Sequence, residues 1–210
     1  MKNKIFSFQR WSKNKIAVFH MMKSSGEILA TLDTLEIPYD IFEGEDPVEE
    51  GSFKHMEERY CGIIISGGLI EPYHVYPSIP ESVIKSKLPK LGICLGCEIL
   101  GTYLGSELTD CSPETKGEYG AVLANLKENL LFDGFELDYT KRHVVRMEHY
   151  KMLDKLPKGS ELIASTNFTP IAGFYHKRDE IWGLQFHPEK NWLKSKLFPN
   201  FYKYCYNKIK

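Results

Sequence analysis

The 210-residue sequence lacks an excess of charge of either sign: 27 lysines and arginines stand against 28 aspartates and glutamates, for a net charge of -1. A general nucleic-acid surface shows as a large basic excess, so no nucleic-acid partner is expected. No stretch approaches the roughly 18 apolar residues of a membrane span, and the N-terminus has no signal-peptide run, so no membrane partner is expected either. Cysteine is scarce and odd in number, five in all, at irregular spacing. That is no disulfide framework, and it places the chain in a reducing compartment, taken here as the cytoplasm. Internal repeats, low-complexity stretches and linkers are also missing. With 42% hydrophobic residues, the chain has enough apolar surface for one well-covered core. Lys2, Lys4, Arg10, Lys13 and Lys15 open the chain without an acid among them. Residues 1–14 are read as a solvated basic arm, and residues 15–210 as a single domain.

Apolar runs alternate with helical patterns through the first half. Strands are expected at 15–19, 39–42, 62–66 and 91–93, and helices at 24–36, 80–87 and 97–104. The first helix has Ser24 or Ser25 as its N-cap and Ile28, Leu29, Leu32 and Leu35 on one face. The acidic segment 43–58 reads as loop with a short surface helix. Gly62–Ser66 is apolar nearly throughout, as a strand in the middle of a parallel sheet covered on both faces should be. In the second half, strands are expected at 118–126, 136–139, 143–148, 161–166, 171–176 and 181–186. A docked helix follows within 191–210. The order predicts an α/β fold: a doubly wound, mostly parallel sheet flanked by helices, with antiparallel strands added in the second half.

Lys-Leu-Gly-Ile-Cys-Leu-Gly-Cys-Glu at 90–98 carries the chemistry. A short strand enters Gly92-x-Cys94-x-Gly96 and a helix leaves it, the form of a nucleophile elbow built on cysteine. Small residues flank the nucleophile because the sharp turn leaves no room for side chains. The helix N-terminus favours the thiolate. At 183–189 the chain reads Gly-Leu-Gln-Phe-His-Pro-Glu. His187 and Glu189, two apart at a strand end, project to the same side if the backbone is extended. Cys94, His187 and Glu189 thus supply nucleophile, base and orienting carboxylate. Ser66-Gly67-Gly68-Leu69 follows the apolar strand, where amides of Gly68 or Leu69, with that of Leu95, are placed to donate to an oxyanion.

These three segments, in this order, resemble the class I (triad) glutamine amidotransferase domain over roughly residues 15–207. Within that family Glu118-Tyr119-Gly120, the stretch 155–166 and 170–173 resemble the glutaminase part of GMP synthase, especially its free-standing form. The resemblance implies the flavodoxin-like fold of that family and hydrolysis of the glutamine side-chain amide through a γ-glutamyl thioester on Cys94. It also implies ammonia passed to a synthetase partner, and neither metal nor cofactor. Gly67, Leu69, Glu98, His149, Tyr150 and Lys151 would border the substrate.

The chain departs from the family pattern at several points. Leu69 replaces the usual proline, Glu98 the usual glutamine four residues after the nucleophile, and Lys151 an acid. His20-Met21-Met22-Lys23 stands where the family has an Asn-Gly-Gly segment. Glu98 and Lys151, changes of opposite sign, are expected to form an ion pair. A second enzymatic reading uses the same triad in a stand-alone γ-glutamyl hydrolase or peptidase, and a third is a non-catalytic partner-binding relative. Cys94-x-x-Cys97 also has dithiol redox spacing, but that reading leaves His187, Glu189 and the glycine loop without a use. His143, His149 and His176 read as surface or strand-end residues. Tyr73, His74 and Tyr76 are candidates for the pocket rim.

Overall fold

The run Tyr60–Ile65, buried at all six positions, lies inside a nine-stranded sheet, as a run without charged side chains can. The computed structural model describes residues 13–23, 25–43, 56–68, 79–111, 117–135 and 143–210. The strands are β1 (Lys15–His20), β2 (Tyr39–Glu43), β3 (Tyr60–Ile65), β4 (Lys90–Ile93), β5 (Leu108–Asp110), β6 (Glu118–Leu126), β7 (His143–His149), β8 (Lys151–Leu153), β9 (Ser160–Ser165), β10 (Gly173–His176) and β11 (Ile181–Leu184). The helices are α1 (Gly26–Thr34), α2 (Met56–Arg59), α3 (Glu81–Ile84), α4 (Leu95–Tyr103) and α5 (Lys194–Asn207). The sheet order is β2-β1-β3-β4-β11-β10-β9-β6-β7. Neighbours from β2 to β11 are parallel. From β11 to β7 they are antiparallel. The expected architecture of parallel centre and antiparallel addition is therefore the observed one.

Alternation along the central strands divides the core between the two faces of the sheet. Ile16 and Val18 of β1 pack with Ile28 and Leu32 of α1 and with Leu197 and Phe201 of α5. Ala17 and Phe19 join Val83 of α3 and Leu95 and Leu100 of α4 in the other cluster. Period-2 side chains on a strand force that split. Trp182 of β11 stacks on Tyr175 and meets Phe201 and Tyr204 of α5 edge-on, which locks the C-terminal helix to the sheet.

Several expectations change in detail. The elbow helix starts at Leu95 rather than at residue 97. Ser25 occupies the α1 N-cap position, but its hydroxyl bonds the His20 ring instead of capping the helix. The docked helix expected within 191–210 spans Lys194–Asn207. A two-stranded antiparallel sheet, β5 with β8, was not expected. Three-residue strands are too short to show a period. The basic arm through residue 12, Ser24, most of the acidic segment, Leu69, the aromatic stretch 73–76 and the strand expected at 136–139 lie outside the described residues. Among the described residues, no helix is long and apolar enough to cross a membrane.

Candidate active site

Cys94 sits at the tight turn between β4 and α4 with φ 50° and ψ -107°. A non-glycine residue with positive φ in that region is strained and persists only where its surroundings enforce it. The enforcement is visible on both flanks. A Cβ on Gly92 would lie 2.4 Å from the Gly96 carbonyl oxygen, and one on Gly96 would lie 2.3 Å from that of Ile65 in β3. Only glycine lets α4 turn back so closely over the sheet. The Cys94 amide donates to the Leu184 carbonyl at 2.7 Å, continuing the parallel β4–β11 pairing one residue beyond Ile93–Leu184.

That pairing brings the second motif to the first. Beyond β11 the chain does not stay extended through Glu189: His187 is extended, but Pro188–Lys190 form a 3-10 turn. Two-residue alternation therefore does not explain the contact. Pro188, with its fixed φ at the first position of the turn, folds Glu189 back under His187. His187 Nδ1 donates to Glu189 Oε1 at 2.7 Å, both side chains being buried. The His187 amide is tied to the Arg146 carbonyl of β7 at 2.8 Å. Burial alone would lower the imidazole pKa, but hydrogen bonds to Cys94 and Glu189 outweigh it and raise it to about 10. Cys94, His187 and Glu189 thus stand as thiol, imidazole and carboxylate in series. An imidazole held in this way can take a thiol proton and return it to a leaving group.

Gly67 packs against the pair: a Cβ there would lie 2.9 Å from His187 Cε1 and 3.4 Å from Cys94 Cβ. Gly68 lies over Leu95, with a built Cβ 2.8 Å from Leu95 Cδ2. Ser66 fixes the loop by accepting the Met21 amide at 2.9 Å. Leu95, first residue of α4, carries an amide that a helix start leaves without an intrahelical acceptor. The glycine loop and the helix N-terminus therefore meet beside the thiol. Leu69 lies outside the described residues.

The remaining candidate substrate residues divide. Glu98, one turn after Cys94, is buried and accepts from Gln185 Nε2 at 2.9 Å. Burial pushes its carboxyl pKa up to about 7, against the opposing pull of Gln185, His149 and Lys151. Lys151 pairs its ammonium with Asp110 at 2.6 Å, across the β5–β8 pairing, and its charge also acts on the Glu98 carboxyl. Tyr150 is half-buried, and its pKa is raised by burial and then by Glu98.

His149 and His176 stand at strand ends, closing β7 and β10, but are buried rather than at the surface. His149 Nδ1 donates to the Lys151 carbonyl at 2.7 Å and lies 3.4 Å from Cys111 Sγ. Its Nε2 lies 3.3 Å from Thr169 Oγ1 and 3.6 Å from Glu118 Oε2. Burial would lower its pKa, but Cys111 and Glu118 raise it to about 10. Both ring nitrogens are thus engaged within the protein. Sequence reasoning assigned no role to the Gln185 side chain or the Glu148 carbonyl, which lies 3.8 Å from Cys94 Sγ. Gln185 stands inside the recognised motif, and that was the available signal; a backbone contact leaves none. Among the described residues, no group of three or more His, Cys, Asp or Glu side chains could hold a metal ion.

Residues 22–203 match the family described as "Glutamine amidotransferase class-I". A GMP synthase [glutamine-hydrolyzing] of Thermomicrobium roseum is 36% identical over 158 residues, 73% of this chain and 26% of that protein. One from Porphyromonas gingivalis is 37% identical over 152 residues, 69% of this chain and 28% of its own length. The chain thus spans about a quarter of the length of these curated relatives. Among solved structures, a candidate GMP synthase subunit of Thermoplasma acidophilum superposes with a TM-score of 0.74 at 24% identity, covering 93% of this chain and 96% of its own. A glutamine amidotransferase of Thermotoga maritima gives 0.66 at 20% identity, over 94% and 85% of the two chains. These likenesses establish the fold.

Proposed function

The chain belongs to the class-I glutamine amidotransferase family, and from that premise we propose that it is a glutaminase supplying ammonia to a separate synthetase subunit of the GMP synthase type. The strained Cys94 at the head of α4, backed by His187 and Glu189, carries the reading. Cys94 attacks the side-chain amide carbon of glutamine, its proton already held on His187. Negative charge on the former carbonyl oxygen is met by the amides of Leu95 and Gly68. His187 returns the proton to nitrogen as the C–N bond breaks, releasing ammonia and leaving a γ-glutamyl thioester. Water, deprotonated by His187, then cleaves the thioester to glutamate. Glu189 holds the imidazole orientation through both halves. Gly67, Glu98, His149, Tyr150 and Lys151 border the substrate in this reading. Residues 15–210 form the catalytic domain and 1–14 a basic arm. A cytoplasmic location accords with five cysteines that are all free.

A chloroketone analogue of glutamine tests the site. Mass spectrometry should find one adduct, on Cys94, and glutamine should protect against it. Labelling that spares Cys94 would overturn the reading. Glutaminase activity should rise on adding the synthetase subunit and fall by about a thousandfold in Cys94→Ser. Glu98 favours one competing reading, a stand-alone γ-glutamyl hydrolase, because a carboxyl replaces an amide at the pocket. Unstimulated cleavage of γ-glutamyl amides larger than glutamine would select it.

A further inference from the structure

Gln185 follows β11 directly, stands two residues before His187 and has no exposed surface. Its backbone amide donates to the Ala172 carbonyl at 2.9 Å, and its side-chain Nε2 donates to Glu98 Oε1 at 2.9 Å. The other end of that side chain, Oε1, is buried without a hydrogen-bond partner. An amide oxygen withdrawn from water and left bare is costly, so a donor within the protein is favoured there.

The group beside that amide is the Glu98 carboxyl. An ionised carboxylate only accepts hydrogen bonds, whereas a protonated one has an O–H to donate. Ionised, Glu98 serves the Nε2 side of the amide and leaves Oε1 bare. Protonated, it has what both sides need. Burial favours the protonated form, since Glu98 is 4% exposed and its pKa is raised to about 7. The charged and titratable groups that face it are His149, closing β7, Lys151 of β8, and Tyr150 between them. The two cations pull toward ionisation, and burial outweighs them.

We propose that Glu98 in its neutral form closes a two-bond ring with Gln185, accepting from Nε2–H at Oε1 and donating Oε2–H to the bare Gln185 Oε1. The Glu98 backbone amide donates to the Cys94 carbonyl at 3.0 Å, so the ring ties the first turn of α4 to the strand end that carries His187. Glu98 acts on the thiol and the imidazole through that tie and is a positioning residue. Ionisation breaks one of the two bonds and leaves a negative charge one turn from Cys94. The bearing on catalysis rests on the glutaminase reading above; the ring itself does not.

Neutron diffraction from crystals of the full chain held at about pH 5.5, below the Glu98 pKa, tests the ring. A deuteron should lie between Glu98 Oε2 and Gln185 Oε1. A carboxyl without a deuteron, one pointing elsewhere, or a water on Gln185 Oε1 overturns the proposal. The rate of Cys94 labelling by the glutamine chloroketone tests the positioning role. Glu98→Gln is the comparison, because its amide can make both bonds at every pH. The ratio of parent to variant rates should be flat below about pH 6 and fall about threefold or more across about pH 7. A ratio independent of pH overturns the positioning role. Should Cys94 take no label, the glutaminase reading fails while the diffraction still decides the ring.

Discussion

Glu98 is the residue whose chemistry differs most from what its place in the fold would favour. A buried carboxyl with a pKa raised to about 7 by desolvation binds its proton more tightly folded than unfolded. Folding therefore loses stability as pH rises from the ordinary glutamate value to about 7, and the cost is constant above it. Glu98→Gln keeps the shape and the acceptor for Gln185 Nε2 and removes the ionisation. We expect it to stabilise the protein by about 3 kcal/mol above pH 7, with the difference vanishing below pH 4.5. Urea melts of both proteins at several pH values check this, and a pH-independent difference would contradict it. Cys94, His187 and Glu189 were legible as candidates because each lies in a short motif with a local mechanism. The Gln185–Glu98 bond was not, since its partners are 87 residues apart and meet only because β11 lies beside β4.

Among the elements, the elbow and the C-terminal helix do different work. Gly96 is pressed against the Ile65 carbonyl, which is backbone and has little room to yield. Gly96→Ala should cost about 2–4 kcal/mol and slow Cys94 alkylation, because α4 must move away from β3. Phe201 is fully buried on the opposite face, against Trp182. Phe201→Ala should cost about 3–5 kcal/mol, yet leave the alkylation rate of the folded protein unchanged. Thermal melts paired with iodoacetamide kinetics separate the two outcomes, and equal slowing in both variants would deny the elbow its special role. The long elements were readable from periodicity and from glycine placement. The 3-10 turn at 188–190 was not, because alternation predicts extended chain and only the packing of Pro188 shows the turn.

For the whole molecule, stability should be greatest on the acid side of neutrality. His149 and His187, whose pKa values are raised to about 10, contribute stability that is fully present below about pH 6.5 and lost as pH rises through 10. Lys90, buried with its ammonium donating to the Ser86 and Leu88 carbonyls, has a pKa lowered to about 8 by burial. It opposes part of that loss above pH 8, where the unfolded chain holds more protons. Glu118, held low against burial by His149, Thr169 and Thr166, contributes stability that disappears as pH falls through its folded pKa. The signs place the maximum between about pH 4.5 and 6.5. Denaturant midpoints measured from pH 4 to 10 check it, and a maximum above pH 8 would refute the assignment. By itself the sequence determined the α/β class, the positions of the central strands and which thiol, imidazole and carboxylate to look for, because period, turn chemistry and motif are local properties. Which side chains those groups meet was decided by the tertiary structure. Strand order sets Glu98 against Gln185 and binds Lys151 to Asp110, and no spacing along the chain encodes the distance between elements that only packing brings together.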